Sequence, residues 1–171
     1  MTNEKTKIYT MRMPLLDLTP QWAEFQKELY HRFRYRIKTA FPVKNGTAMI
    51  PEGTTKIPKR AYYRCLELHE VVIPNSVTSI EEDAFKRCFS LKSITIPDSV
   101  TRIGNQAFYS CTALETVTLP NSIIEIGEYV FTNCTSLKKI FLPAGQAEFY
   151  KKYIPKKLHD KINEISDINQ H

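Results

Sequence analysis

Cysteine is the residue type in this chain best suited to chemistry, and its four copies are evenly spaced. Cys65, Cys88, Cys111 and Cys134 follow one another in steps of 23 residues. Thiolates can hold a zinc ion, and pairs of thiols can form disulfides. The ligands of one metal ion must converge on a point, however, whereas a constant step is typical of a residue that recurs once in each unit of a repeat.

The other residues that could support catalysis do not form a recognisable motif. The four histidines, His31, His69, His159 and His171, are scattered along the chain, and no glycine-rich phosphate loop or metal-binding motif is present. Only five glycines occur, which disfavours backbone cradles for phosphate. We therefore predict that the protein is not an enzyme and has no cofactor and no metal site.

A basic and aromatic segment, residues 31–38, has the sequence HRFRYRIK. This mixture is typical of surfaces that bind nucleic acids or anionic membranes, which makes Arg32, Arg34, Arg36 and Lys38 a possible anion-binding site. The alternative is that these cations form the solvated face of a capping helix. Residues 1–44 hold nine Lys and Arg against four Asp and Glu, whereas residues 45–143 hold ten of each. The balanced central region disfavours a nucleic-acid-binding surface there.

The elements that must position these residues belong to a repeat of 23 residues. Prolines recur at the same step as the cysteines, from Pro51 to Pro143, and apolar columns recur in the same register. These columns are Leu68, Leu91, Leu114 and Leu137; Val71, Ile94, Val117 and Ile140; Ile50, Ile73, Ile96, Leu119 and Leu142; Ile57, Ile80, Ile103 and Ile126; and Tyr62, Phe85, Phe108 and Phe131.

Each unit contains the alternation of a half-buried strand. In residues 91–97, LKSITIP, Ile94 and Ile96 alternate with Ser93 and Thr95, and Pro97 ends the strand. The rest of the unit is too short for a long crossover helix, so we expect a tight return path that is partly extended or 3₁₀-like. Stacking of the units would bury a continuous core that no single unit can enclose. A ladder of four cysteines would then span about 14 Å, so they cannot share one zinc ion. We expect them to be small buried side chains; disulfides between neighbours are disfavoured by parallel Cβ vectors but not excluded by distance.

The pattern LxxIxIPxxVxxIGxxAFxxC, seen from Leu91 through Gly104 to Cys111, resembles the BspA-like (treponemal-type) bacterial leucine-rich repeat. The resemblance covers about residues 45–143. It implies a leucine-rich-repeat solenoid, a right-handed β-rich superhelix with a parallel sheet on its concave side and short 3₁₀ or irregular return segments. Many members of this family are surface or secreted proteins that bind other proteins.

Both ends of a stack need covers. Residues 1–44 are predicted to form an N-terminal segment with an amphipathic capping helix at about 20–39, which has Thr19 as its cap and Pro20 at its first position and carries Trp22 on its apolar side. Residues 45–143 are the repeats. Residues 144–171 are predicted to form a helical cap: a short helix over Ala147–Tyr153, a break at Pro155, and a second amphipathic helix over Leu158, Ile162, Ile165 and Ile168. All three regions are expected to form one structural domain.

The outward side of the predicted strands differs between repeats while the inward columns stay apolar, as expected for a binding face on a uniform scaffold. The predicted partner-binding residues are His69, Glu70, Val72, Lys92, Ser93, Thr95, Glu115, Thr116, Thr118, Lys138, Lys139 and Phe141. Val72 and Phe141 are apolar where solubility favours polar side chains.

We therefore predict a non-enzymatic module that binds a protein partner through this concave face. Two alternatives are a nucleic-acid or anionic-surface binder that uses the basic segment, and an exported surface adhesin whose signal peptide is absent from this sequence. The first residues lack the apolar core of a secretory signal. The prediction for localisation is therefore cytoplasmic, with a secreted or surface location as the alternative.

Overall fold

In the computed structural model, which describes residues 39–166, the chain forms a parallel β-solenoid. Its coils, numbered one to five, each begin with a strand on the same side of the molecule, and we call these strands together the first sheet. The strands are β2 (Thr47–Met49), β4 (Glu70–Val72), β6 (Ser93–Thr95), β8 (Thr116–Thr118) and β10 (Lys139–Pro143). Hydrogen bonding divides them into two groups, β2-β4 and β6-β8-β10. The leucine-rich-repeat solenoid predicted from the sequence is confirmed.

The strands pair in the register of the repeat. Ile94 lies opposite Val117, and Val117 lies opposite Ile140, each step being one repeat of 23 residues. Their side chains are buried, whereas the flanking residues of each strand point outward. Because identical columns stack on one another, the coils share a single apolar core.

The return path of coils one to four contains a second, shorter strand, which is the extended part of that path. These strands are β3 (Lys56–Ile57), β5 (Ser79–Ile80), β7 (Arg102–Ile103) and β9 (Glu125–Ile126). They pair in parallel in the order β3-β5-β7-β9 and form the second sheet. The core therefore lies between two sheets, and each coil from one to four contributes one strand to each sheet.

The return path also needs two residues per coil in the left-handed region. In coil three these are Gln106 (φ 55°) and Ser110 (φ 57°), and the same two positions have positive φ in the other coils. Such a conformation costs roughly 1 kcal/mol for a non-glycine residue. Backbone bonds to the next coil hold it in place: the amide of Gln106 donates to the carbonyl of Glu128 at 2.8 Å and that of Ser110 to Thr132 at 2.8 Å.

Aromatic rings form a continuous stack inside the return path. Tyr62, Phe85, Phe108 and Phe131 lie with neighbouring ring centroids 5.2 to 5.6 Å apart and with angles of 2° to 9° between ring planes. All four side chains are buried. Equivalent aromatic residues of successive coils therefore contact one another directly. This stacking fixes the rotation of each coil relative to the next.

The two ends of the solenoid differ from the repeats. At the first coil, β1 (Val43–Lys44) forms an antiparallel hairpin with β2 through Asn45 and Gly46, both of which have positive φ. The helix predicted at about 20–39 lies outside the described residues apart from Thr39. The boundaries at residues 44 and 143 stay predictions.

At the last coil, a short helix is present as predicted, but the second one is not. Helix α1 spans Ala147–Lys151, and a 3₁₀ helix spans Lys156–Lys161. Ile162–Ile165 forms strand β11, which pairs in parallel with β10, so the prediction of an amphipathic helix over this segment was wrong. The apolar spacing there is compatible with either structure, and the unpaired edge of β10 decides in favour of a strand.

Candidate functional site

The outward-pointing side chains of the first sheet and the residues just before each of its strands form what we call the strand face. All twelve residues predicted to bind a partner lie on it. Nine of them are exposed, and Thr116, Thr118 and Phe141 are half-buried. The alternation of exposed and buried residues along β4 and β6 follows from the side-chain period of two in a strand.

Strand pairing brings these residues into rows across the coils. Ser93 lies opposite Thr116 and Thr95 opposite Thr118, which places four hydroxyl groups side by side. In coil one, Met49 lies opposite Val72, and these side chains are 69% and 48% exposed. Sequence reasoning missed Met49, although it stands 23 residues before Val72 and belongs to the same column. The strand face therefore has an apolar end at coils one and two and a hydroxyl-rich centre.

The first sheet is interrupted within this face. The amide of Ile96 donates to the carbonyl of Thr118 at 3.0 Å, and that of Ile50 to Val72 at 3.3 Å, but the described backbone bonds include none from Ile73 to Thr95. Strands β4 and β6 lie side by side without a shared ladder, and one backbone bond, from the amide of Lys92 to the carbonyl oxygen of His69 at 3.1 Å, joins the two coils beside them.

A shallow cleft of about 700 Å³ lies along this interruption, and Glu70, Val72, Ser93, Thr95 and Asp98 are among the residues that line it. Ser99 also lines it, and its enclosed hydroxyl oxygen has no hydrogen-bond partner in the structure. Four of the predicted partner-binding residues therefore meet at a concave feature that contains carboxylate, hydroxyl and apolar groups. These groups can bind a ligand by hydrogen bonds and apolar contact.

Charges on the strand face are ordered along the stack. Lys138 donates to the Glu115 carboxylate at 2.8 Å, and this hydrogen bond, with smaller contributions from the charges of Lys138 and Lys92, lowers the pKa of Glu115. Lys139 adds a further cation beside Lys138, whereas Glu70 and Asp98 lie at the cleft. The exposed Lys138–Glu115 pair contributes little to stability, so its main effect is on the local electrostatic potential of the strand face.

The cysteines occupy the core, as the repeat register predicts. All four are free thiols, and those of Cys88, Cys111 and Cys134 donate to carbonyl oxygens of the preceding coil at 3.0 to 3.2 Å. Burial raises the pKa of the Cys134 thiol to about 12 and that of Cys111 well above its usual range. A thiol held protonated in this way is a poor nucleophile and a poor metal ligand, and the four cysteines pack as small side chains in the core.

The described histidines have structural contacts. The ring of His69 packs over Gly46, and the Nε2 atom of His159 lies 3.2 Å from the carbonyl oxygen of Lys151 and 2.9 Å from that of Ile154. His31 and His171 lie outside the described residues. Between residues 39 and 166, no group of three or more His, Cys, Asp or Glu side chains is arranged to hold a metal ion.

The basic segment that contains Arg32, Arg34, Arg36 and Lys38 also lies outside the described residues. The hypothesis that it binds nucleic acid or an anionic surface stays a prediction. A titration against DNA at two salt concentrations would test it, because phosphate contacts make affinity fall steeply with salt.

Comparison with known proteins gives a consistent family signal. Residues 49–168 match the model of the BspA type leucine rich repeat region in six copies. No curated protein matches the chain. The structure is similar to a leucine-rich repeat protein from Bacteroides ovatus, with a TM-score of 0.61 and 33% identity over 70% of this chain and 30% of that one.

Two further bacterial structures are similar. The Treponema pallidum leucine rich repeat protein gives a TM-score of 0.51 at 28% identity, over 60% of this chain and 61% of that one. A leucine rich cell surface protein from Faecalibacterium prausnitzii gives 0.44 at 30% identity, over 57% of this chain and 35% of that one. This chain therefore spans less than two thirds of the length of each. No helix within residues 39–166 has the length and apolar character needed to cross a membrane.

Proposed function

The chain belongs to the BspA-type leucine-rich repeat family, and from this premise we propose that it is a non-enzymatic module that binds a protein through its strand face. The repeat fold is one generally used for protein interaction. The cleft between β4 and β6 would be the centre of contact, with the Met49–Val72 pair beside it and Lys138 and Lys139 at the far end of the strand face.

The observation that carries this proposal is the interruption of the first sheet. A solenoid gains stability by pairing each strand with the next, so a missing ladder is a local loss of stability. The interruption lies beside the exposed apolar side chains of Met49 and Val72. Exposure of these side chains to water does not stabilise a monomer. Contact with a partner would bury these side chains and satisfy the polar groups of the cleft.

The experiment is affinity capture from an extract of the source cells, with the partner identified and then prepared in pure form. The test variant carries charged residues on the strand face: Val72→Glu, Thr95→Glu, Thr118→Lys and Phe141→Lys. We expect the pure partner to bind the wild-type protein and to bind this variant at least about 100-fold more weakly, because charges without partners would be buried in the interface.

The matched control carries the same number and signs of charge outside the strand face. Thr55→Glu, Thr78→Glu, Ile124→Lys and Tyr129→Lys change four exposed residues of the return path. Circular dichroism should show that both variants fold. Equal binding of the partner to the strand-face variant and to the wild-type protein would refute the proposal, and so would equal losses in both variants.

A further inference from the structure

Each of coils one to four contributes four columns of residues at and after its second-sheet strand. In coil one the members of these columns are all exposed, namely Thr55, Lys56, Lys59 and Arg60. Lys59 pairs with Glu82 of coil two at 2.9 Å. Arg102 pairs with Glu125 at 3.2 Å, so equivalent side chains of neighbouring coils lie next to one another. We call residues 55–60, 78–83, 101–106 and 124–129 the return face.

Charge is distributed unevenly over the return face. Residues 55–60 of coil one contain three cations and no anion, whereas residues 124–129 of coil four contain two carboxylates and no cation. Between them, coil two contributes three carboxylates and coil three contributes one arginine. Lys56 and Glu128 are exposed, and neither has an ion-pair partner among residues 39–166. The two outer coils of the face therefore carry opposite charges.

Coil four also exposes apolar side chains on the return face. Ile124 is 78% exposed where coils one to three have threonine, and Tyr129 is 59% exposed where coil three has Gln106. Coil five contributes no second-sheet strand that could cover them, because its return path is replaced by α1 and the 3₁₀ helix. Contact with another polypeptide would remove this apolar surface from water.

The order of charges along the stack is complementary to itself when the face is turned over. A two-fold axis parallel to the second-sheet strands, midway between coils two and three, would lay coil one of each copy on coil four of the other. Each residue then meets the residue of its own column in the second copy. The outer pairs are Lys56 with Glu125, Lys59 with Glu128, and Arg60 with the ring of Tyr129. The first two pairs have opposite charges, and the third is favourable for a cation–π contact.

A two-fold axis along the stack would be unfavourable. Coil one would then meet coil one, and like charges brought together at an interface oppose binding. The Lys59–Glu82 and Arg102–Glu125 salt bridges within each copy are exposed and contribute little, so their charges remain available to a second copy. Because one chain carries both halves of the charge pattern in the same columns, a second copy of this chain fits the face.

We propose that the return face binds a second copy of this chain in an antiparallel dimer with two-fold symmetry. Four coils at a strand spacing of about 4.8 Å make the face about 19 Å tall, and six residues at about 3.3 Å each make it at most about 20 Å wide. This area is smaller than the roughly 800 Å² per partner of stable complexes. The dimer is therefore weak and forms at high protein concentration. The strand face belongs to the first sheet and takes no part in this contact.

Sedimentation equilibrium of the whole chain tests the pairing of charges. The wild-type protein should approach the mass of a dimer as its concentration rises from about 10 μM to about 1 mM, the range of Kd for weak complexes. Lys59→Glu brings carboxylates together at both outer contacts, and Glu128→Lys brings ammonium groups together there. Each variant alone should associate at least about tenfold more weakly than the wild-type protein. An equimolar mixture of the two variants should recover association, because each outer contact again joins a carboxylate to an ammonium group.

The matched control is Glu67→Lys, which makes the same change of charge as Glu128→Lys at an exposed residue outside the return face. It should associate as the wild-type protein does, which separates the local contact from the effect of net charge. The proposal is overturned if the wild-type protein stays monomeric throughout the series, if Glu67→Lys weakens association as much as Glu128→Lys does, or if the mixture associates no better than its separate components.

The apolar part of the contact is tested independently of the strand face. Ile124→Thr with Tyr129→Gln restores residues of earlier coils without a change of net charge, and it should weaken dimerisation. Its matched control, Met49→Thr with Val72→Thr, removes exposed apolar side chains from the strand face and should leave dimerisation unchanged. Circular dichroism should show that both variants fold. An equal or greater loss of association in the strand-face variant would overturn the proposal, and neither result depends on whether the strand face binds a protein.

Discussion

Two buried tyrosines should respond in opposite directions to the same substitution. Tyr62 and Tyr150 are 0% and 1% exposed, and burial is the main cause that raises the pKa of both hydroxyls. The hydroxyl of Tyr150 donates to the carbonyl oxygen of Pro120, which is itself buried. The hydroxyl of Tyr62 has no hydrogen-bond partner among residues 39–166.

The magnitudes follow from what each phenylalanine would leave behind. Tyr150→Phe leaves the Pro120 carbonyl buried without a donor, so it should lower the free energy of unfolding by about 1 to 3 kcal/mol. Tyr62→Phe removes a polar group whose desolvation is not compensated, so it should raise the free energy of unfolding by about 1 kcal/mol. The ring of residue 62 still stacks on Phe85, at 5.3 Å between centroids.

Urea unfolding followed by circular dichroism measures both changes, provided that the slopes of the transitions match that of the wild-type protein. The two midpoints should move apart on either side of the wild-type value. A loss of more than about 1 kcal/mol for Tyr62→Phe would show that its hydroxyl has a partner, and an unchanged midpoint for Tyr150→Phe would show that the bond to Pro120 contributes nothing.

Three other substitutions test separate features of the fold. Because burial holds the folded-state pKa of Cys111 above the unfolded value, its contribution to stability is full below about pH 8 and falls as pH rises further; Cys111→Ala should make the loss in alkaline urea titrations shallower, and an identical pH profile would contradict this. Gly46→Ala should cost about 1 to 3 kcal/mol in urea unfolding, since its φ is 82° and a Cβ would lie 2.2 Å from Nδ1 of His69, and a second change, His69→Ala, should recover part of that loss. Glu164→Leu should cause concentration-dependent self-association in sedimentation velocity, because it removes an exposed charge from the edge strand β11, whereas Asn163→Leu, which removes no charge from the same strand, should not; equal behaviour would argue against Glu164 as the protecting charge.

The columns of the repeat predicted the greater part of the fold because they record contacts between residues one coil apart. Ile94, Val117 and Ile140 are predicted neighbours from their spacing alone, and they are strand partners in the structure. The cysteine positions and the placement of the strand-face residues follow from the same register. A pattern repeated in every coil leaves little freedom for the backbone.

Features that occur once could not be predicted in the same way. Ile162–Ile165 was predicted as helix because a four-residue strand at a sheet edge has too few residues to show alternation. The cleft between β4 and β6 depends on how two neighbouring coils separate, and their sequences match the repeat as well as the others do. The end of the second sheet at β9 depends on the absence of a return path in coil five, which no single residue of coil four reveals.

The stacking of coils at an interval of 23 residues is the claim on which the strand face and the cleft both depend. Methyl and amide nuclear Overhauser effects measure it directly. We expect contacts between Ile94 and Val117 in the first sheet and between Ile80 and Ile103 in the second. Contacts offset by one or more residues, or contacts confined to residues within one coil, would contradict the account.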